Sequence, residues 1–165
     1  MIIETVKGNL LEYFHQGKFS AIGHGCNCFC VQKAGIAGQI AKQFPEAYQA
    51  DVDHSFAGDL TKLGDYSSTS TEYGAIVNFY TQFLPGPNFE YTALQLCLEN
   101  FERLINYRIS QDDFILGLPL IGCGIGKGDE ELVIEILENS GLHIILVEYD
   151  NGETNMGQTE IDFTS

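Results

Sequence analysis

Residues Phe19–Pro45 read FSAIGHGCNCFCVQKAGIAGQIAKQFP and contain an apolar segment, a glycine-containing loop and an amphipathic segment in that order. Phe19–His24 is apolar and bounded by glycine, which predicts a buried strand. Ile36–Phe44 repeats apolar residues at helical spacing, and Pro45 predicts the end of that helix. A buried strand followed by a helix is the unit from which α/β sheets are built.

The rest of the chain repeats this alternation, with a turn at Gly8-Asn9. Further strands are predicted at Ile2–Val6, Ala75–Tyr80, Phe114–Leu120 and His143–Tyr149, and further helices at Tyr91–Tyr107 and Glu130–Asn139. We therefore expect an α/β sheet covered by helices on both faces. One domain over residues 1–150 is predicted, followed by an acidic, flexible tail at 151–165.

Composition and charge narrow the possible partners. The chain has 165 residues, is 44% hydrophobic and carries a formal net charge of −15 with 8 Lys and Arg residues. This charge disfavours binding to nucleic-acid backbones and to anionic membranes. The N-terminus resembles neither a signal peptide nor a membrane span, so we expect a cytoplasmic protein whose five cysteines are reduced thiols. We also expect a monomer.

The cysteine-rich run His24–Cys30 (HGCNCFC) has three possible explanations: a metal site, a redox centre or small packing residues. Alternate residues of a strand advance by about 6.6–7 Å per pair, so four ligands along one strand cannot converge on a zinc ion. The C-x-x-C spacing of redox centres is absent. We therefore expect packing residues, with no metal and no cofactor.

Two glycine-rich loops each lie between a predicted strand and a predicted helix. The first is Lys33–Gly38 (KAGIAG) and the second is Ile121–Gly128 (IGCGIGKG). Glycine permits close approach of a ligand, and the N-terminus of a helix offers free N–H donors for phosphate. For the first loop alone, an ordinary tight turn is an equally good explanation. The second loop fits neither the Walker nor the dinucleotide template.

Four segments in this order resemble the macro domain, an ADP-ribose-binding α/β module. They are VKGNLL at Val6–Leu11, HGCN with KAGIAGQIAKQFP at His24–Pro45, VNFYTQ at Val77–Gln82, and PLIGCGIGKGDEEL at Pro119–Leu132. Within that family the segments are most similar to the branch of ADP-ribose-1''-phosphate phosphatases and terminal ADP-ribose glycohydrolases. The resemblance implies a three-layer α/β/α fold with a mixed, mostly parallel central sheet.

The resemblance also implies roles for particular residues. Asn9 would contact adenine, Asn27 would face the distal ribose, and Tyr149 would lie near the adenine. Backbone donors of the two glycine loops would bind the distal ribose and the diphosphate. The full implied ligand-binding set is Asn9, Leu10, Asn27, Lys33, Ala34, Gly35, Ile36, Ala37, Cys123, Gly124, Ile125, Gly126, Lys127 and Tyr149.

Two positions depart from the glycohydrolase pattern. The catalytic lysine of that branch is replaced by Gln82, and its aspartate is replaced by Gly126. A carboxamide cannot attack the anomeric carbon as an amine does. The remaining candidates for catalysis are Asn27, His24 and Asp129, although a core histidine and a helix N-cap are the simpler explanations for the last two.

These observations lead to three functional hypotheses. The first is hydrolysis of the phosphate of ADP-ribose-1''-phosphate, in line with the resemblance. The second is binding of free or protein-linked ADP-ribose without turnover, favoured by the two replacements. The third is a water-based ADP-ribosyl hydrolase. The expected partners are ADP-ribose, ADP-ribose-1''-phosphate or an ADP-ribosylated protein.

Overall fold

The computed structural model describes residues 1–108 and 113–149. The strands are β1 Ile2–Gly8, β2 Ala21–Cys26, β3 Tyr66–Thr71, β4 Gly74–Tyr80, β5 Ile115–Leu118 and β6 His143–Tyr149. The helices are α1 Leu10–His15, α2 Gly35–Gln43, α3 Pro45–His54, α4 Tyr91–Arg108 and α5 Glu130–Glu138, with a 3-10 helix at Leu60–Lys62. The predicted tail at 151–165 lies outside the described residues.

The strands form one six-stranded sheet in the order β1-β6-β5-β2-β4-β3. All neighbouring pairs are parallel except β3 and β4, which are antiparallel. Helices cover both faces, so the predicted three-layer α/β/α architecture with a mixed, mostly parallel sheet is confirmed.

Successive side chains of β4 point to opposite faces of the sheet and enter different cores. Val77 packs in the core formed with α4 and α5, whereas Ile76 packs in the core formed with α1, α2 and the start of α3. Both side chains are fully buried. Burial on both faces explains why this strand reads as a nearly continuous apolar run.

Four elements differ from the expectations for the sequence. Helix α2 ends at Gln43, just before Pro45 as expected, but Pro45 begins a further helix, α3, that was not predicted and in whose first turn its missing N–H costs nothing. The predictions also missed α1, which has only six residues, and β3 (YSSTST), which lacks an apolar run because it is an edge strand. The predicted start of β2 was two residues early, since the strand begins at Ala21.

The parallel strands β1, β6, β5, β2 and β4 all have their carboxyl ends at the same edge of the sheet. The two glycine loops follow β2 and β5, which are adjacent. Ligands of open α/β sheets bind at this edge. Within the two described ranges, no helix has both the length and the apolar character required to cross a membrane.

Candidate functional site

A cleft opens at the carboxyl edge of the sheet. Its lining residues come from the β1–α1 connection, α2, the end of β6 and the segment after β5, and they are Gly8, Asn9, Leu10, Ile36, Gln39, Pro119, Val147 and Tyr149. The structure therefore brings together four residues of the predicted ligand-binding set: Asn9, Leu10, Ile36 and Tyr149. Most of these lining side chains are apolar, as is typical of sites for small molecules.

The other four lining residues were not predicted from the sequence. Gln39 lies three residues after Ile36 and hence on the same face of α2, so helical spacing could have indicated it. No comparable signal marks Gly8, Pro119 or Val147, because their place in the cleft depends on the order of the strands.

Asn9 caps helix α1. Its Oδ1 accepts hydrogen bonds from the N–H groups of Leu11 and Glu12 at 3.0 and 3.1 Å. The capping bonds fix the side chain at the rim of the cleft. Asparagine therefore caps the helix at this position without adding a negative charge.

The first glycine loop ends in the N-terminus of α2. Gly35 has φ = +61°, a left-handed conformation that glycine adopts without strain. In the described part of the chain, the N–H groups of Gly35, Ile36 and Ala37 have no hydrogen-bond acceptor, and Ala34 provides no side-chain cap. These free donors give the loop the chemistry of an anion site.

Asn27 organises the chain that leads into this loop. Its Oδ1 accepts from Phe29 N at 2.9 Å, and its Nδ2 donates to Val31 O at 2.9 Å. Both ends of the amide are thus engaged within residues 27–31. Lys33, further along, is exposed.

The second glycine loop folds around the side chain of Phe89. A Cβ atom at Gly122 would lie 2.2 Å from Cδ1 of Phe89, and one at Gly128 would lie 2.8 Å from its Cδ2. Gly122 also has φ = +79°. Several of these glycines are therefore required by packing on Phe89, which is a reason for the glycine-rich composition that is independent of any ligand.

The tip of the second loop also carries free donors. Among the described residues, the N–H groups of Gly124, Ile125 and Gly126 have no acceptor, whereas Lys127 N donates to Gly124 O at 3.1 Å. Lys127 is exposed and has φ = +64°. Burial raises the pKa of the Cys123 thiol to about 11, so this group is protonated at neutral pH and is a poor nucleophile.

Asp129 is the N-cap of α5, immediately after the second loop. Its Oδ1 accepts hydrogen bonds from Glu131 N at 2.9 Å and Leu132 N at 3.3 Å. Within residues 1–108 and 113–149, no donor contacts its Oδ2. The exposed carboxylate thus combines a capping oxygen with a second oxygen that remains open to solvent.

Gln82 links two loops at the same edge of the sheet. Its Nε2 donates to Leu84 O at 2.7 Å and to Gly86 O at 2.8 Å. Its Oε1 lies 3.0 Å from the position that a Cβ atom at Gly126 would occupy. Gln82 and Gly126, the two positions predicted to depart from the glycohydrolase pattern, are therefore neighbours, and the glutamine orders the segment of residues 82–86.

His24 lies in the core, apart from the exposed loops. It is fully buried, and its Nε2 donates to Asn78 Oδ1 at 2.7 Å. Burial lowers the pKa of His24 to about 4, an effect only partly offset by the bond to Asn78 and by the charge of Asp51. His24 is therefore neutral at physiological pH.

This burial leads to a prediction about pH dependence. Below about pH 6.5 the unfolded chain binds a proton at His24 while the folded chain does not, so acid favours unfolding. His24 should therefore contribute about 3 kcal/mol to the loss of unfolding free energy between pH 7 and pH 4. Urea denaturation of His24→Gln at both pH values should show a correspondingly smaller loss than the unsubstituted protein.

Val77→Ala is the matched control for this experiment, because it removes a buried group and leaves His24 in place. Its pH-dependent loss should equal that of the unsubstituted protein. Equal losses in all three proteins would contradict the burial of a neutral histidine.

The cysteines of the HGCNCFC run lie in different surroundings. Cys26 and Cys28 are buried in a small cluster with Tyr80, whereas Cys30 is partly exposed. All five cysteines are free thiols. The described residues contain no group of three or more His, Cys, Asp or Glu side chains that could hold a metal ion.

Comparison with known proteins gives one sequence relative and several similar folds. The chain is 39% identical over 156 residues to the uncharacterized 17.5 kDa protein in the tk-vs intergenic region of Enterobacteria phage T4, covering 91% of this chain and 98% of the relative. No protein-family model matches the chain.

Two similar folds are the macrodomain of a DarG protein and a chain of a DarTG protein. The macrodomain of Mycobacterium tuberculosis DarG has a TM-score of 0.69 and 21% identity, covering 89% of this chain and 97% of that chain. Thermosipho africanus DarTG in complex with ADP-ribose has a TM-score of 0.65 and 14% identity, covering 98% of this chain and 45% of that chain. At these sequence identities, the comparison shows similarity of the fold alone.

Proposed function

Since this chain belongs to the family of the phage T4 17.5 kDa protein and has the macrodomain fold, we propose that it binds ADP-ribose at the carboxyl edge of its sheet. The adenine occupies the cleft beside Asn9 and Tyr149, and the two glycine loops hold the diphosphate and distal ribose. A structural neighbour, the Thermosipho DarTG protein, was solved in complex with ADP-ribose.

The observation that carries this proposal is the set of free backbone donors in the two loops. They are the N–H groups of Gly35, Ile36, Ala37, Gly124, Ile125 and Gly126, none of which has an acceptor among the described residues. The loops follow the adjacent strands β2 and β5, so their donors lie at one edge of the sheet. A diphosphate supplies oxygen acceptors that match them.

The charge of the chain explains why binding would depend on the backbone. A net charge of −15 disfavours the approach of a polyanion, but short-range hydrogen bonds from N–H groups and a helix N-terminus stabilise one small anion. Lys33 and Lys127, one in each loop, are both exposed and supply local positive charge.

The activity proposed for this site is hydrolysis of ADP-ribose-1''-phosphate. The free Oδ2 of Asp129 is the candidate base for the attacking water, next to the loop whose donors would stabilise the phosphoryl oxygens. Asn27 would position the distal ribose by keeping residues 27–31 in place. His24 is buried too deeply to exchange protons with a ligand at the loops.

A second candidate function is binding of ADP-ribose without turnover. The specific observation in its favour is that Asn27 and Gln82 are engaged in hydrogen bonds to their own loops, and that His24 is buried. Asp129 then serves only as a helix cap. The water-based ADP-ribosyl hydrolase is a weaker alternative, since the net charge of −15 disfavours ADP-ribosylated nucleic acid as its substrate.

The variant Asp129→Asn separates the two candidates. Asparagine caps a helix as well as aspartate does, so the variant should keep the fold. Its affinity for ADP-ribose should stay within about twofold of that of the unsubstituted protein. If Asp129 is the base, phosphate release from ADP-ribose-1''-phosphate should fall by about 100-fold or more. The measurements are phosphate release, and calorimetric titration with ADP-ribose.

Each result has a defined meaning. Phosphate release by the unsubstituted protein at the level of a buffer blank, together with ADP-ribose binding, would leave the non-catalytic function. Unchanged release in Asp129→Asn would remove this residue from the mechanism. Absence of ADP-ribose binding at millimolar concentration would overturn the proposed function as a whole.

A further inference from the structure

A buried ion pair contacts the segment that leads into the first glycine loop. Lys62 of the 3-10 helix and Asp51 of α3 are both inaccessible to solvent, and Nζ of Lys62 donates to Oδ1 of Asp51 at 2.9 Å. Tyr80, at the end of β4, donates its hydroxyl hydrogen to the same Oδ1 at 2.8 Å. The pair therefore joins α3, the 3-10 helix and the central sheet.

Stability alone does not account for such a pair. Removing two charges from water is costly, and replacement of a buried ion pair by apolar residues of similar size is often neutral or stabilising. One property that charged pairs do confer is a fixed geometry, because each hydrogen bond requires its partner at a definite place.

The groups that the pair holds in place belong to the segment leading into the glycine loop. Oδ2 of Asp51 accepts a hydrogen bond from Nε2 of Gln32 at 2.8 Å, and Nζ of Lys62 also donates to Sγ of Cys30 at 3.5 Å. Gln32 is 6% exposed and directly precedes Lys33, the first residue of the loop.

Two further features show that this segment depends on outside contacts. Cys30 has φ = +59°, a conformation that costs energy for a residue other than glycine. Oε1 of Gln32 is buried without a partner in the described part of the chain. Its Nε2 contacts Cys26 Sγ at 3.8 Å and donates to Asp51. The bond to Asp51 is therefore the main contact that fixes the amide.

We propose that the Asp51–Lys62 pair positions the first glycine loop through Gln32 and Cys30, and so sets the affinity of this loop for its ligand. The pair contacts no ligand; it acts by holding the chain on both sides of Val31 against α3. This inference rests on the proposed binding of ADP-ribose for its effect on affinity, but its effect on the loop can be measured without a ligand.

Gln32→Leu tests the link, because it removes the hydrogen bond to Asp51 and leaves the ion pair intact. The matched control is Ser67→Ala on β3. Ser67 is also buried and belongs to the same network, since its hydroxyl bonds to the Tyr80 hydroxyl at 2.7 Å and accepts from Asn78 Nδ2 at 3.0 Å. Among the described residues, its hydroxyl makes no hydrogen bond to the glycine loop or to the segment that leads into it.

The expected result is a difference between the two variants. Gln32→Leu should weaken ADP-ribose binding by about tenfold or more, and amide hydrogen exchange at residues 27–36 should become faster. Ser67→Ala should lose comparable stability with loop exchange unchanged and affinity within about twofold. If Gln32→Leu fails to fold, the paired replacement Asp51→Leu with Lys62→Met provides the same two readouts.

The outcomes are distinguishable from failure of the proposed function. Equal loop exchange in Gln32→Leu, in Ser67→Ala and in the unsubstituted protein would overturn the inference, whether or not ADP-ribose binds. Faster exchange in Gln32→Leu without ADP-ribose binding by the unsubstituted protein would support the positioning of the loop and reject ADP-ribose as its ligand. Faster exchange with unchanged affinity would reject the effect on binding.

Discussion

Replacing Lys62 by methionine should lower the free energy of unfolding by about 3–5 kcal/mol. The substitution leaves the Asp51 carboxylate in the core without its cation, although Tyr80 and Gln32 still donate to it. Burial opposes the charge of Lys62, but the hydrogen bond and charge of Asp51 outweigh it and raise the pKa of this lysine. Lys62 is therefore charged at neutral pH, where urea denaturation measures the loss.

A paired replacement provides the control for this prediction. Asp51→Leu together with Lys62→Met removes both charges, so no carboxylate remains unpaired, and most of the lost stability should return. A double variant that is as unstable as Lys62→Met would show that the loss comes from packing of the lysine side chain and not from the unpaired charge. Recovery of stability without recovery of ADP-ribose affinity is the pattern expected if the pair positions the glycine loop.

Gly122→Ala should destabilise the protein by about 3 kcal/mol and weaken ADP-ribose binding. Two effects add at this position: the left-handed φ of +79°, and the clash of the new Cβ with Phe89 at 2.2 Å. The loop must move away from Phe89 to accept the methyl group, and its free donors at residues 124–126 move with it. Denaturation and calorimetric titration measure the two effects.

Gly17→Ala separates backbone strain from the clash. Gly17 has φ = +75°, nearly the value at Gly122, but nothing lies within 4 Å of the position its Cβ would take. This variant should lose about 1 kcal/mol and retain ADP-ribose affinity. Similar losses of stability in both variants would contradict the role assigned to Phe89, and unchanged affinity in Gly122→Ala would remove this loop from the binding site.

The strands with apolar runs and the long amphipathic helix were predictable from sequence because each buries a continuous face. For β4, burial on both faces makes nearly every residue apolar, and for α4 the buried side chains recur at helical spacing. The edge strand β3 and the polar helix α3 bury little, so their sequences carry no such pattern. Their existence depends on neighbours that are distant in the chain.

The glycine loops were also recognisable from sequence, but their packing was not. Alternating glycines at Ile121–Gly128 indicate a loop of unusual backbone geometry, and the structure gives a local cause, the side chain of Phe89. Phe89 lies more than thirty positions earlier in the chain, and nothing in its surroundings marks it as the centre of a loop. Contact between residues so far apart requires the folded sheet.

Local patterns of the sequence thus established the layered α/β class and the two glycine loops, since each depends on residue type and near neighbours. The folded chain established the partners of the polar groups: Asn78 for His24, and Lys62 for Asp51. Burial and hydrogen bonding join residues from separate elements, and therefore they arise only when the strands take their order in the sheet.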